Sequence, residues 1–141
     1  MRRFRFRLQK VLDYKKKLEE EAERVYGLAK IQRELAQSVL EQIRNDLADA
    51  LTNSGEFSIE RSKLRVIFIE ASEDRMRQQE IVIETLVREE EVLKERWLEA
   101  RKERKVLDKL HEKAVEQYQY EVDHFDQIAL DEWGTLHRRA A

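Results

Sequence analysis

The amino-acid sequence predicts an all-α protein, two long helices folded back on each other as an antiparallel coiled-coil hairpin. Three observations predict it. The 141 residues include no Pro and only three Gly, at positions 27, 55 and 134. Average usage is about 5% Pro and about 7% Gly, so the residues that end helices are nearly missing. Apolar side chains recur at steps of three, four and seven, the spacing that gathers them on one helical stripe. Near the middle of the chain a single cluster of small polar residues interrupts that spacing.

The first helix is expected over about residues 3–52. Phe4, Leu8, Val11, Leu18, Ala22 and Val25 open its stripe, and Lys15 is a polar interruption between Val11 and Leu18. Leu28, Ile31, Leu35, Val39, Ile43, Leu47 and Leu51 continue it. Their successive steps of four depart from a strict heptad, which predicts a local relaxation or reversal of the supercoil. The turn falls at about 53–58, where Asn53, Ser54, Gly55 and Ser58 concentrate loop chemistry. Ser58 offers a hydroxyl as N-cap to the helix that follows. Asn53 with Glu56 offers instead a capping box that would start that helix earlier.

The second helix is expected over about 59–133, on a stripe of Leu64, Phe68, Ala71, Val82, Leu86, Leu93, Trp97, Ala100, Leu107, Leu110, Ala114, Tyr118, Phe125 and Ile128. Gly134 is expected to end it, leaving a frayed tail over about 134–141. At 1.5 Å per residue the two helices would be roughly 75 Å and 115 Å long. A short turn makes them adjacent and antiparallel. Pairing outward from that turn sets residue i opposite a residue near roughly 110 minus i, so Phe4 would lie near Val106 or Leu107. Residues beyond about 110 then lack a partner within the chain although their apolar stripe continues. Exposed apolar surface of that kind favours association, at about 25 cal/mol per Å² removed from water.

Charge and composition exclude several function classes. The net charge is −2, so the chain as a whole does not attract nucleic acid. The polarity is local: residues 1–17 carry eight basic side chains against Asp13 alone, and residues 116–132 carry six acids and no Lys or Arg. The absence of Cys removes disulfides, thiol catalysis and Cys-based zinc sites, and it suits a reducing cytosol. No apolar run is long enough to span a membrane. The basic start meets no apolar segment of a secretory signal. Glu19, Glu20, Glu21 and Glu23 argue against a transit peptide, which avoids acids.

The residues offer no catalytic constellation. His111, His124 and His137 are thirteen residues apart, a step that does not stack on a helix face, so they read as solvated surface groups. No phosphate-binding loop, nucleophile elbow or zinc-protease motif occurs, and a two-helix hairpin has no dry pocket in which to perturb a carboxylate. The opening Arg2-Arg3-Phe4-Arg5-Phe6-Arg7 interleaves bases with aromatics, a pattern compatible with nucleic acid or an anionic membrane surface. Its plainer reading is a helix start with Phe4 in the seam and solvated arginines, open to an acidic protein partner. Arg101, Lys102, Arg104 and Lys105 form a second basic run that the expected register sets beside this first one. The resulting repulsion would need something acidic to relieve it.

These residues resemble one family. Phe4-Arg5-Phe6-Arg7-Leu8-Gln9-Lys10-Val11-Leu12-Asp13, followed by Lys-rich and then Glu-rich helix, is similar to the start of FliJ proteins of the bacterial flagellar type III export apparatus. Ala100 to Leu110 resembles that family's basic run with its Leu-x-x-Leu core, and Asp131-Glu132 resembles its acidic pair. The resemblance implies a non-enzymatic antiparallel coiled coil similar to the stalk of rotary ATPases. It implies insertion of the terminal helices into the hexameric export ATPase, contact with the cytoplasmic domain of the export-gate membrane protein, and handling of export chaperones. It also implies a cytoplasmic protein peripherally associated with the inner membrane at the export apparatus, serving motility, with no cofactor.

Ring contacts implied in this way are Arg2, Arg3, Arg5, Arg7, Lys10, Arg101, Arg104, Lys105, Asp131 and Glu132. Gate contacts are Ala36, Leu40, Ile43, Leu47, Phe68, Ser72, Arg75 and Gln79, though Leu40, Ile43 and Leu47 would serve equally as seam packing. A stalk of a virulence-type secretion system, or a generic cytosolic coiled-coil adaptor or chaperone, are the alternatives.

Overall fold

The structure, a computed structural model, describes residues 2–52, 55 and 58–140. It contains two helices, α1 (Gln9–Thr52) and α2 (Ile59–Ala140), and no strand among the described residues. The helices pack on each other as an all-α hairpin, as the missing helix breakers and the apolar periodicity predict. Of the expected turn, residues 53, 54, 56 and 57, including the capping-box pair Asn53 and Glu56, lie outside the described residues. Ser58 is the N-cap of α2, its Oγ accepting the Arg61 amide at 3.0 Å. Glu60 in the first turn of α2, and His137, Arg138 and Arg139 in the last, complement the helix dipole.

The chain divides into two compact units, one of Met1–Glu20 with Glu99–Ala141 and the other of Glu21–Leu98. In the second unit the covered positions of α1 that form the seam row are Ala22, Tyr26, Ala29, Arg33, Ala36, Leu40, Ile43, Leu47 and Ala50, with Val25 and Gly27 half-buried beside them. Those of α2 are Ile69, Ser72, Met76, Gln79, Ile83, Leu86, Glu90, Leu93 and Trp97. Both rows alternate steps of four and three, which is the strict heptad of a coiled coil. The expected departure from it is overturned: the row of fours through Ile31, Leu35 and Val39 is not the seam, and Leu35 is 63% exposed. The seam instead takes small residues, Ala29, Ala36 and Ser72 (3% exposed) among them. It also admits polar groups wherever a partner meets them. Gln79 Nε2 donates to the Ala36 carbonyl at 2.8 Å, Arg33 forms a two-pronged ion pair with Glu90, and Tyr26 stacks on Trp97 at 5.7 Å.

On α2, the expected stripe members Leu64, Phe68, Ala71, Val82 and Leu110 lie on exposed positions, whereas Leu86, Leu93, Trp97, Ala100, Leu107, Ala114 and Tyr118 are covered. The pairing of i with roughly 110 minus i is also corrected. Arg44 approaches Glu80 at 3.7 Å, and Ile59, Leu64, Val66 and Ile67 are all exposed. The first turns of α2 therefore run on uncovered before the seam engages, which moves every pairing further along α2.

The helix bounds differ from expectation at both termini. α1 starts at Gln9 rather than near residue 3, and residues 2–6 are not helical. α2 continues through Gly134 to Ala140, so the expected frayed tail is helical. A Gly inside a helix costs only about 1 kcal/mol relative to Ala, and no described residue has positive φ to break the run. Side chains bridge the position: Thr135 Oγ1 donates to the Asp131 carbonyl at 2.9 Å, and the His137 ring lies 3.8 Å from that of Trp133.

Candidate functional site

The first unit gathers the features that single out a surface. Its covered row is Leu8, Leu12, Lys15 and Glu19 on the N-terminal side. It meets Ala100, Arg104, Leu107, His111, Ala114 and Tyr118 of α2. Leu12, 3% exposed, is the buried apolar residue of this unit. Around it the polar groups are paired across the helices. Lys15 Nζ reaches Glu103 at 2.7 Å. Arg104 grips both oxygens of Glu19, at 2.5 and 3.1 Å, while its other terminal nitrogen holds Asp108 at 2.5 Å. The hydrogen bonds from Arg104 hold the Glu19 carboxyl below its ordinary value, against burial, which works the other way. The same two carboxylates raise the Arg104 guanidinium.

This disposition corrects the expected repulsion between the two basic runs. With the pairing shifted, Glu103 and Arg104 face Lys15 and Glu19, and the charges are complementary. Arg104 is thereby committed within the chain. Arg101 is half-buried, and Lys105 is exposed.

The segment ahead of α1 is an arm laid on α2. Phe4 and Phe6 meet the His111 ring edge-on, at 5.8 and 5.0 Å between centroids. Phe4 also lies 5.3 Å from Tyr118, whose hydroxyl donates to the Arg2 carbonyl at 2.8 Å. From Phe6 to Arg2 is four residues, yet their partners His111 and Tyr118 are seven apart. Seven helical residues span about 10 Å, and four helical residues would span only about 6 Å. The arm covers the distance because it is extended. Phe4 accordingly reaches Tyr118 instead of Val106 or Leu107, and the stretch of α2 without a partner begins past Val122 rather than near 110. His111, expected to be a solvated surface group, is half-buried between two phenylalanines. The cue in sequence is the spacing of Phe4 and Phe6, which an extended arm turns to the same side.

Arg2, Arg3 and Arg5 line a surface cleft of about 650 Å³ together with Phe4, Ala114, Gln117, Tyr118 and Glu121. They and Arg7 and Lys10 are exposed. Every residue from 123 to 133 is also exposed. Phe125 is 56% and Trp133 61% accessible, and Ile128, Leu130 and Leu136 are open as well. Asp131 and Glu132 line a shallow depression with Ile128, Thr135 and Leu136. Unit one thus presents a basic arm, an apolar stripe and an acidic helix surface, which together suit docking to another protein.

The gate candidates lie in the other unit. Ala36, Leu40, Ile43 and Ser72 are buried in its seam, and Leu47 and Gln79 are half-buried there. Phe68 and Arg75 are exposed. No group of three or more His, Asp or Glu able to hold a metal ion occurs among the described residues, and no described helix is long and apolar enough to cross a membrane. In comparison with known proteins, a family model described as flagellar FliJ protein matches residues 4–140. No curated protein matches the chain, and no solved structure does.

Proposed function

The chain belongs to the flagellar FliJ family of export-apparatus components, and from that premise we propose that it is a non-enzymatic stalk for the hexameric export ATPase. The observation that carries this reading is the face of the first unit: a bare apolar stripe past Val122, flanked by acids, beside an arm of exposed arginines. A ring that encloses this helix would remove the apolar side chains from water and meet both signs of charge. Arg2, Arg3, Arg5, Arg7 and Lys10 with Asp131 and Glu132 are its contacts. Lys105 adds to them, and Arg104 acts by holding the arm-bearing helix to α2. Promotion of ring assembly, coupling to the cytoplasmic domain of the export gate and escort of export chaperones complete the proposal. For the gate, exposed Phe68 and Arg75 touch the partner, while the seam residues Ala36, Leu40, Ile43, Leu47, Ser72 and Gln79 hold the helices that present them. The protein would work in the cytoplasm, at the inner-membrane face of the export apparatus.

The test is ATP hydrolysis by the cognate hexamer titrated with this chain. Stimulation is expected, reduced at least about tenfold in apparent affinity when Arg2, Arg3, Arg5 and Arg7 become Glu. Equal stimulation by the wild-type and reversed chains would refute the assigned contacts. No stimulation at all would favour a generic coiled-coil adaptor.

A further inference from the structure

We infer that the stretch of α2 past Val122 takes as its partner a basic amphipathic helix of another protein, one that seats an arginine against Glu132. The inference deepens the stalk reading, on which it rests only for where such a helix is met, inside the ring. A row of sevens runs along α2 through Glu90, Trp97, Arg104, His111 and Tyr118, all covered within the chain, and on to Phe125 and Glu132, both exposed. The covered part of the row establishes what its charged members require. Glu90 is met by Arg33 through two nitrogens, and Arg104 closes on both oxygens of Glu19 in the same manner. A charged group on this row therefore faces its opposite from the helix that covers it, in the two-pronged geometry that makes such pairs strong. Glu132 holds the same place in the row. Its neighbours at one helical turn, Ile128, Ala129, Thr135 and Leu136, supply no cation.

The surroundings select the same partner. Phe125, Ile128, Trp133 and Leu136 are between 45% and 66% accessible, and an aliphatic face laid on them removes them from water. Asp126 flanks the row, about 100° round the helix from Phe125. Residues 116–132 hold six acids and no Lys or Arg, so lysines beside the apolar face of the incoming helix are attracted. The chain supplies its own example one step earlier in the row. Over His111 and Tyr118 the cover is the arm, whose Phe4 and Phe6 touch these rings while Arg2, Arg3 and Arg5 stay exposed. A nucleic acid, an anionic membrane or a second acidic tail meets its own sign of charge on this face and is disfavoured.

The test is fluorescence anisotropy of a labelled synthetic helix titrated with the full chain. The probe has about three heptads, with Leu on its seam positions, one central Arg among them and Lys outside. Binding in the micromolar range is expected, with amide exchange slowed in residues 122–136. Glu132→Gln is expected to weaken it about tenfold, with unchanged helix content by circular dichroism because Glu132 is exposed. Glu132→Arg is expected to weaken it further, and exchanging the central Arg of the probe for Glu to restore it. General attraction between a basic peptide and an acidic tail does not reproduce that restoration, which depends on one pair of positions. No binding overturns the inference, as does equal binding of a probe with Glu in place of every Lys and Arg, or an exchanged pair that restores nothing. Stimulation of the hexamer is read separately. Stimulation without peptide binding removes this inference and leaves the stalk, and peptide binding without stimulation does the reverse.

Discussion

Replacing Arg104 with Ala is expected to lower the stability of the first unit by about 2 kcal/mol. The figure follows from where the ion pair sits. A fully exposed pair contributes about 0–1 kcal/mol, and stripping one partner from a buried pair costs about 3–5 kcal/mol. The side chains of Arg104 and Glu19 are 23% and 14% accessible, between those limits and nearer the buried one. Two hydrogen bonds join them, and a third ties Arg104 to Asp108, so the truncation leaves a half-buried carboxylate unpaired. The melting temperature followed by circular dichroism should fall roughly 6–8 °C, at about 3–4 °C per kcal/mol for a chain of this size. A double-mutant cycle with Glu19→Ala should return a coupling of about 1–2 kcal/mol. The pair Arg104→Met with Glu19→Leu should recover most of the loss, since apolar packing replaces a buried ion pair at little cost. Additivity of the two Ala substitutions within about 0.5 kcal/mol would refute the claim that these groups act as one.

Acid should dissolve the same coupling. The Glu19 carboxyl titrates below its ordinary 4.5 when folded, so the stability that it contributes is present above pH 4.5 and is lost as the pH falls through the lower folded value; a coupling equally large at pH 2 and pH 7 would contradict this. Tyr118→Phe removes the hydroxyl that holds the Arg2 carbonyl, and at about 1 kcal/mol for the bond trypsin should cut after Arg2, Arg3 and Arg5 roughly fivefold faster, as read by mass spectrometry. Gly134→Ala meets nothing within 4 Å and should add about 0.5–1 kcal/mol of helix stability, visible as slower amide exchange in residues 130–138. Ser58→Ala should cost the start of α2 about 1 kcal/mol, with faster exchange at the Arg61 amide as the local signature.

Much of the candidate site could be read without coordinates. The basic arm, the acids of 116–132 and the continuing apolar stripe through Phe125 and Ile128 are all evident in the residue order, and all sit on the surface of one unit. The individual contacts could not be read in this way. Arg104 looks like a free cation in a basic run, but in the structure it is closed around Glu19 and Asp108. His111 looks like a solvated ring, but it is enclosed by Phe4 and Phe6. Each of these depends on a residue 85 or more positions away, or on an arm whose helical spacing conceals an extended conformation.

The residue order alone determined the helix count, the place of the turn and the polarity between a basic start and an acidic later stretch, and it offered Ser58 as one of two N-caps. These are local properties, since a helix is closed by bonds between residues four apart and a cap by bonds between residues three apart. Only the tertiary structure decided which of several apolar stripes forms the seam. α1 carries large hydrophobic residues on more than one face, and Leu28, Ile31, Leu35 and Val39 make as good a row as Ala29, Ala36, Leu40 and Ile43 when read alone. The choice belongs to the facing helix, whose Glu90 and Gln79 answer Arg33 and the Ala36 carbonyl and whose Ser72 is buried in the same seam. Pairing across two helices is a property of both together, and no periodicity within one of them contains it.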